Sequence, residues 1–207
     1  MTLQMNDTHR MFLQALMTRR IMQGKEVKKI YNYCHEACDV LTEDANLSQF
    51  VVAINSNIRL YNMEIKKGVN EVSGAQYYAL VNLSDSPVTR LAADFTPLEL
   101  ELFKKMMDMI VYSDNGIISS IDAINLTSVL DKKMSKDAAE SVVQRLAIDK
   151  WINVERGDVS LAVRGILELD QYLRETYGEL LLTCNMCKQI CLQTASSSSN
   201  LPASRIR

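Results

Sequence analysis

The sequence predicts an α+β fold that is mainly α-helical with small β-hairpins, built as two successive units of the same plan. Three observations carry this expectation. Apolar residues recur at three- and four-residue spacing along most of the chain, the period drops to two in two places, and each drop follows a set of three helical stretches. A chain of 207 residues is long enough for two small domains, each burying its own core. With 47% hydrophobic residues and only 7 Gly and 3 Pro, the composition is that of a folded chain, and disorder is expected only towards the end.

The first helix is expected over about residues 7–22, where Phe12, Leu13, Leu16, Met17 and Ile21 share a face. The second, over 26–40, puts Val27, Ile30, Tyr31 and Cys34 on one stripe and leaves Lys25, Lys28 and Lys29 towards solvent. A third starts at Asn46, whose spacing to Gln49 permits a capping box, and turns Phe50, Val51, Ile54 and Ile58 inwards. Tyr61, Met63 and Ile65 then alternate with polar residues. A polar tip over 66–76 contains Gly68 and Gly74, and Tyr78-Ala79-Leu80-Val81 reads as the returning strand. Three helices followed by a hairpin with a long exposed tip is the winged-helix order, assigned to residues 1–83.

Ser84-Asp85-Ser86-Pro87 breaks the strand, and residues 84–95 are read as a linker. The second unit, 96–180, opens on a sharp local signal: Thr96 can cap, Pro97 takes the first helical position, where its missing N–H costs nothing, and Glu99 can reach back to the cap. Behind it Leu102, Phe103, Met106, Met107 and Ile110 form one face. Ser119 or Ser120 can start the next helix, through Ile124 and Val129. Ser135 caps another that carries Ala139, Val142, Val143 and Leu146. After Trp151, Ile152 and Val154 lead into Glu155-Arg156-Gly157-Asp158, and Val159, Leu161 and Val163 return. The plan repeats; residue identity between the halves is negligible. A further helix over 164–177, through Ile166, Leu169, Tyr172 and Leu173, leads to a cysteine cluster.

The formal charge of -2, from 23 basic and 25 acidic residues, excludes a globally basic nucleic-acid binder. Residues 1–94 balance 10 basic against 10 acidic side chains, whereas 95–183 hold 10 against 15, so any DNA contact requires a local patch. The first residues lack an apolar core preceded by basic residues, and no run of about 18 apolar residues occurs. Neither secretion nor membrane spanning is therefore expected. An odd number of cysteines, 5, without an export signal argues for reduced thiols or metal ligands.

Catalytic residues are not expected: there is no Gly-rich phosphate loop and no nucleophile elbow, the only histidines are His9 and His35, and the carboxylates lie on solvated helix faces. Cys184-Asn185-Met186-Cys187 can present two thiolates to one tetrahedral zinc, half of its ligands. By spacing alone this half-site stands beside two other readings, incidental cysteines and a redox dithiol that lacks its usual strand-to-helix context. Cys191 lies on too short a turn to complete the ligand shell, and no Cys or His follows it. Cys34, in phase with Ile30 and Tyr31, reads as core, with His35 and Cys38 beside it on the same helical stretch. His9 reads as an exposed residue at a helix start. Met106, Met107 and Met109 read as core filling more readily than as an adaptable groove. Lys66 and Lys67, near the tip of the first hairpin, are the candidate phosphate contacts, although Glu64 and Glu71 flank them.

MFLQALMTRR, NMEIKKGV with YYALVNL, TPLELELFKKMMDMI, KDAAESVVQRLAIDKWI, LELDQYLRETY and CNMC together resemble the family of non-SMC element one subunits of the SMC five-six complex, from residue 8 to about 193. The resemblance implies tandem winged-helix domains followed by a variant RING domain. It also implies pairing with a MAGE-family winged-helix partner, and assembly with a kleisin-type subunit on the SMC ATPase heads. It further implies a nuclear, chromosome-associated role in double-strand-break repair by homologous recombination, with DNA reached through the complex. Cys184 and Cys187 match the first zinc pair of the RING-like module, which gives the family E3 ubiquitin ligase character and engages an E2 enzyme when complete. Residues 181–193 are accordingly read as the start of that module. The Ser-rich 194–207 departs from the family pattern and reads as disordered, so zinc binding and ligase activity are expected to be impaired in this chain.

Overall fold

The computed structural model describes residues 5–39, 46–83, 91, 94–185 and 187–193. The Ser-rich stretch 194–207 and most of the expected linker lie outside the described residues.

Helix α1 (Asp7–Arg19) starts at Asn6, whose side chain accepts the His9 N–H while the His9 ring accepts the Asn6 N–H, a capping box. The helix ends earlier than its apolar spacing predicts. Arg20, at φ 63°, reverses the chain and donates its N–H to Leu16 O, and Ile21–Gln23 becomes strand β1 instead of a last helical turn. Helix α2 spans Gly24–Ala37 and α3 spans Leu47–Ile58. Asn46 caps α3 by accepting the Ser48 N–H; the capping box with Gln49 does not form. Strands β2 (Met63–Val69) and β3 (Gln76–Asn82) come next, and Tyr61 belongs to the helical turn before them. The antiparallel sheet has the order β1-β3-β2, which makes β2 an edge strand. Phe12, Leu16, Val27, Tyr31, Cys34, Phe50, Ile54 and Ile65 fill the first core.

The second half repeats this order. Thr96 and Glu99 form the expected capping box on α4 (Pro97–Tyr112), with Pro97 at the first helical position. Strand β4 (Ile118–Ser119), α5 (Ser120–Asn125), α6 (Lys136–Ile148), β5 (Ile152–Glu155) and β6 (Asp158–Leu161) complete the unit, with sheet order β4-β6-β5. Arg156 and Gly157, at φ 53° and 89°, make the two-residue hairpin turn. Leu102, Phe103, Met106, Met107, Ile110, Leu146 and Ile152 are fully buried in the second core, which Leu91 and Phe95 of the expected linker also join.

The helix expected over 164–177 is two helices, α7 (Val163–Glu168) and α8 (Asp170–Tyr177), joined at the buried Leu169. The break lets each face a different neighbour. Leu173 and Tyr177 of α8 enter the second core, while Val163 and Leu167 of α7 pack on Ile21, Ala79 and Val81 of the first sheet. On the other side of α7, Gly165 lies so close to the Trp151 backbone that a Cβ would stand 3.3 Å from its carbonyl carbon and nearer still to the oxygen. Arg164 stacks 4.3 Å over the Trp151 ring, donates to the Asp149 carbonyl and pairs with the buried Glu168 at 2.6 Å. Arg20 reaches Asp149 at 3.4 Å across the same seam.

Candidate functional site

The candidate site is the cysteine turn, fastened between the two halves. Short strands β7 (Leu182–Thr183) and β8 (Ile190–Cys191) pair antiparallel and close a turn that carries Cys184 and Cys187. The Cys184 N–H donates to Gln189 O at 2.9 Å and the Lys188 N–H to Cys184 O at 2.8 Å, with Lys188 at φ 59°. Cys184 is half-buried and Cys187 exposed. None of the five cysteines is disulfide-bonded.

The segment leaving the turn, 188–193, is held from three directions. Ile190 and Leu192 are buried in the second core, and Gly116 (φ 70°) leaves room for the Leu192 carbonyl where a Cβ would collide. The Gln189 side chain donates to the carbonyl of Lys67 on β2, and Arg174 of α8 donates to Lys188 O at 2.9 Å. Glu71, at the tip of the first hairpin, accepts the Leu192 N–H at 3.1 Å and the Gln193 N–H at 2.6 Å. Burial raises the Glu71 carboxyl above its ordinary value, and these two N–H groups offset only part of that rise. Burial pushes the Cys191 thiol up to about 11, with the charges of Glu71, Cys184 and Cys187 adding to it, so this thiol keeps its proton at neutral pH.

A structural zinc takes four ligands in tetrahedral geometry. Among the described residues no group of three or more His, Cys, Asp or Glu side chains is placed to hold a metal ion. These residues alone therefore do not fit a complete zinc site; they supply a pair of thiols on a preformed turn.

The other sequence candidates fall elsewhere. Lys66 and Lys67 lie within β2, not at the hairpin tip, because the strand continues to Val69. Strand alternation turns them to opposite faces. Lys66 shares the face of Gly68, towards α7, and Lys67 that of Ile65. Helix α3, the third helix of its unit, carries no Lys or Arg at all. In the second half Arg145 of α6 is engaged, at 2.6 Å from both Glu99 and Asp94 O and 4.6 Å over the Phe95 ring. Cys34 is fully buried, and His35, also buried, bonds Tyr31 O at 2.8 Å through Nδ1. His9 is not simply exposed: its ring stacks on Phe50 at 4.3 Å, and burial, then the charge of His35, lowers its pKa. Met106 and Met107 are core. Sequence reasoning missed Glu71 and Gln189 as fasteners; Glu71 and Leu192 are 121 residues apart, and no local pattern links them.

These features define a class: an α+β chain with two open three-stranded sheets on separate helical cores and a cysteine turn fastened to both. The family model described as Nse1 non-SMC component of SMC5-6 complex matches residues 9–169. The non-structural maintenance of chromosomes element 1 homolog of Bos taurus is 41% identical over 193 residues, covering 93% of this chain and 73% of that protein. The homolog from Xenopus laevis is 39% identical over 190 residues, covering 91% and 70%, and element 1 of Schizosaccharomyces pombe 23% over 191 residues, covering 91% and 79%. A chain of the solved Nse1-Nse3-Nse4 complex superposes with a TM-score of 0.84 at 39% identity, covering 92% of this chain and 83% of that one. The chain belongs to the Nse1 family.

Proposed function

We propose that this chain is a scaffold subunit of an SMC5-6 complex, in which two tandem winged-helix domains dock a MAGE-family winged-helix subunit and join a kleisin-type subunit near the SMC heads. The observation that carries this reading is the likeness, over 92% of the chain, to a chain of the Nse1-Nse3-Nse4 complex. The domains are residues 1–83 and 96–180, joined by 84–95, with the start of a RING-like zinc module at 181–193 and a Ser-rich tail at 194–207. The place of action is the nucleus and its chromosomes, in double-strand-break repair by homologous recombination. Within the module, Cys184 and Cys187 are a zinc half-site that matches the family's first ligand pair and does not hold zinc stably with the described residues alone. E3 ligase activity, which works by holding a loaded E2 enzyme against substrate, requires ligands beyond those that the described residues bring together.

Co-purification tests the scaffold role. The chain mixed with its MAGE-type partner is expected to co-elute in size exclusion; independent elution of both would end the proposal. An autoubiquitination assay with several E2 enzymes, which should show activity impaired, tests the ligase reading, and robust activity from this chain alone would overturn it. The rival reading, a DNA-binding module using Lys66 and Lys67, predicts affinity that falls steeply with salt and a slope that flattens on charge reversal at both lysines. The cation-free α3 favours the scaffold.

A further inference from the structure

We infer that Glu71 is the positioning residue of the cysteine turn: from the tip of the first hairpin its carboxylate holds the strand that sets where Cys184 and Cys187 are presented. The inference rests on the reading of that turn as the start of a zinc module, and it adds that the first half of the chain, 121 residues away, fixes the placement of the turn.

The geometry runs in a short chain of contacts. Both Glu71 oxygens lie 3.1 Å from Leu192 N, and Oε2 also takes Gln193 N at 2.6 Å. Hydrogen bonds to an ionised acceptor are roughly twice as strong as neutral ones. Just before β8, the Gln189 side chain donates to Lys67 O on the same hairpin, so β8 is tied to the first half at both of its ends. Gln189 is also the residue on which the turn is built, because its carbonyl accepts the Cys184 N–H at 2.9 Å. Pairing of Thr183 with Ile190 and of Leu182 with Cys191 carries that register into both sides of the turn. The apolar side chains of the same segment, Ile190 and Leu192, enter the second core. Burial fixes the depth of β8 against the second half, while Glu71 and Gln189 fix its position along the first.

A residue that only satisfied two buried N–H groups would contribute to global stability and nothing more. A positioning residue does something different: its loss redistributes the exposure of Cys184 and Cys187 while both cores stay folded. The test uses the full chain as wild type, Glu71→Gln and Glu71→Ala. Amide exchange is read at Leu192 and Gln193, the ratio of thiol-labelling rates at Cys184 and Cys187 is read by mass spectrometry with buried Cys34 as reference, and the urea midpoint is followed by Trp151 fluorescence. Expected in Glu71→Ala is exchange at both amides faster by roughly tenfold or more, as loss of a hydrogen bond to a charged group implies, together with a shift of the labelling ratio towards one. Glu71→Gln, which keeps one acceptor oxygen, should fall between. Unchanged exchange and ratio in Glu71→Ala would overturn the inference, and so would a lowered urea midpoint with the ratio unchanged. Cobalt(II) ion added to the same samples separates this from the zinc reading. No thiolate-to-cobalt absorption in any variant, with the ratio shift intact, sinks the zinc reading and leaves the role of Glu71 standing. An absorption band with unchanged exchange does the reverse.

Discussion

Replacing Gly68 with alanine tests the seam between the two halves, because two effects of opposite sign meet there. Gly inside a strand is destabilising by about 0.5–1 kcal/mol relative to Ala, so backbone entropy favours the substitution. Against this, a Cβ at position 68 would stand 2.6 Å from Val163 Cγ1 and 2.9 Å from Leu167 Cδ1. Reaching ordinary contact requires the Val163 and Leu167 side chains, or α7 with them, to give by about 1 Å. The helix has nowhere to go, since its far side rests on the Trp151 backbone at Gly165. Overpacking of this kind costs about 1–3 kcal/mol, on average more than the entropic gain, so Gly68→Ala is expected to destabilise the chain by about 1 kcal/mol net, within a span of roughly 0–2.5. Urea unfolding measures it, as a lowered midpoint at unchanged slope. Trp151 is the single tryptophan and is buried beside α7, which makes its fluorescence a local probe. A second substitution, Val163→Ala, removes the nearer of the two clashing atoms and should restore part of the loss in the double variant. A Gly68→Ala chain at least as stable as wild type, or a double variant with no recovery, would refute the packing argument.

Three further outcomes are expected. Because burial and the charge of His35 depress the His9 pKa in the fold, and Asn6 N–H needs the His9 ring as acceptor, the unfolded state takes up this proton first. The associated stability is complete above the unfolded value of about 6.5 and is lost as pH falls through the lower folded value; urea midpoints between pH 7 and 5 should fall less in His9→Gln than in wild type. Thr96→Ala removes the acceptor for Glu99 N–H and should cost about 0.5–2 kcal/mol by the same assay. Arg164→Met takes away the guanidinium that compensates buried Glu168 and should cost about 3–5 kcal/mol. The double variant Arg164→Met with Glu168→Leu should regain most of it, and failure to do so would place the cost in the Trp151 stacking instead.

The parts of this fold that are legible in the sequence are those whose signals are local. Thr96, Pro97 and Glu99 announce α4 within four positions, and Arg156-Gly157 between alternating residues announces the second hairpin. Strands β1 and β4 escape notice because three and two residues cannot display a two-residue period. Ile21, in phase with the α1 face, is drawn into the expected helix for the same reason; the reversal at Arg20 leaves no mark in composition. Gly68 reads as a loop residue, whereas it sits in β2 so that α7 can approach, a reason that exists only once both halves are folded. The cysteine pair is visible as a motif, but its fasteners are not. Glu71 looks like a charge offsetting two lysines, and its partners lie 121 and 122 residues on.

The repeated plan is put to unequal use in the two halves. An edge strand leaves a row of backbone groups open to pairing, a liability that folds manage by covering it. In the first half that strand is β2, and its outward backbone groups are taken: the Asn55 side chain accepts the Ile65 N–H at 2.7 Å and donates to Ile65 O at 3.0 Å, and the Lys67 carbonyl receives Gln189, while Gly68 admits α7 on the face of the sheet. The corresponding hairpin of the second half ends in exposed residues 154–158 on a tight two-residue turn. Hairpins of one topology thus act in one case as a bridge between the halves and in the other within their own half, where the Gly157 carbonyl accepts the Ser120 N–H at 2.7 Å. The strand that carries Lys66 and Lys67 is thus also the one that joins the halves, with the two lysines on opposite faces by alternation. A bridge of this kind also gives the cysteine turn a defined position relative to both cores, since Cys184 N and Lys188 N have their acceptors within the turn and Ile190 and Leu192 their burial in the second core.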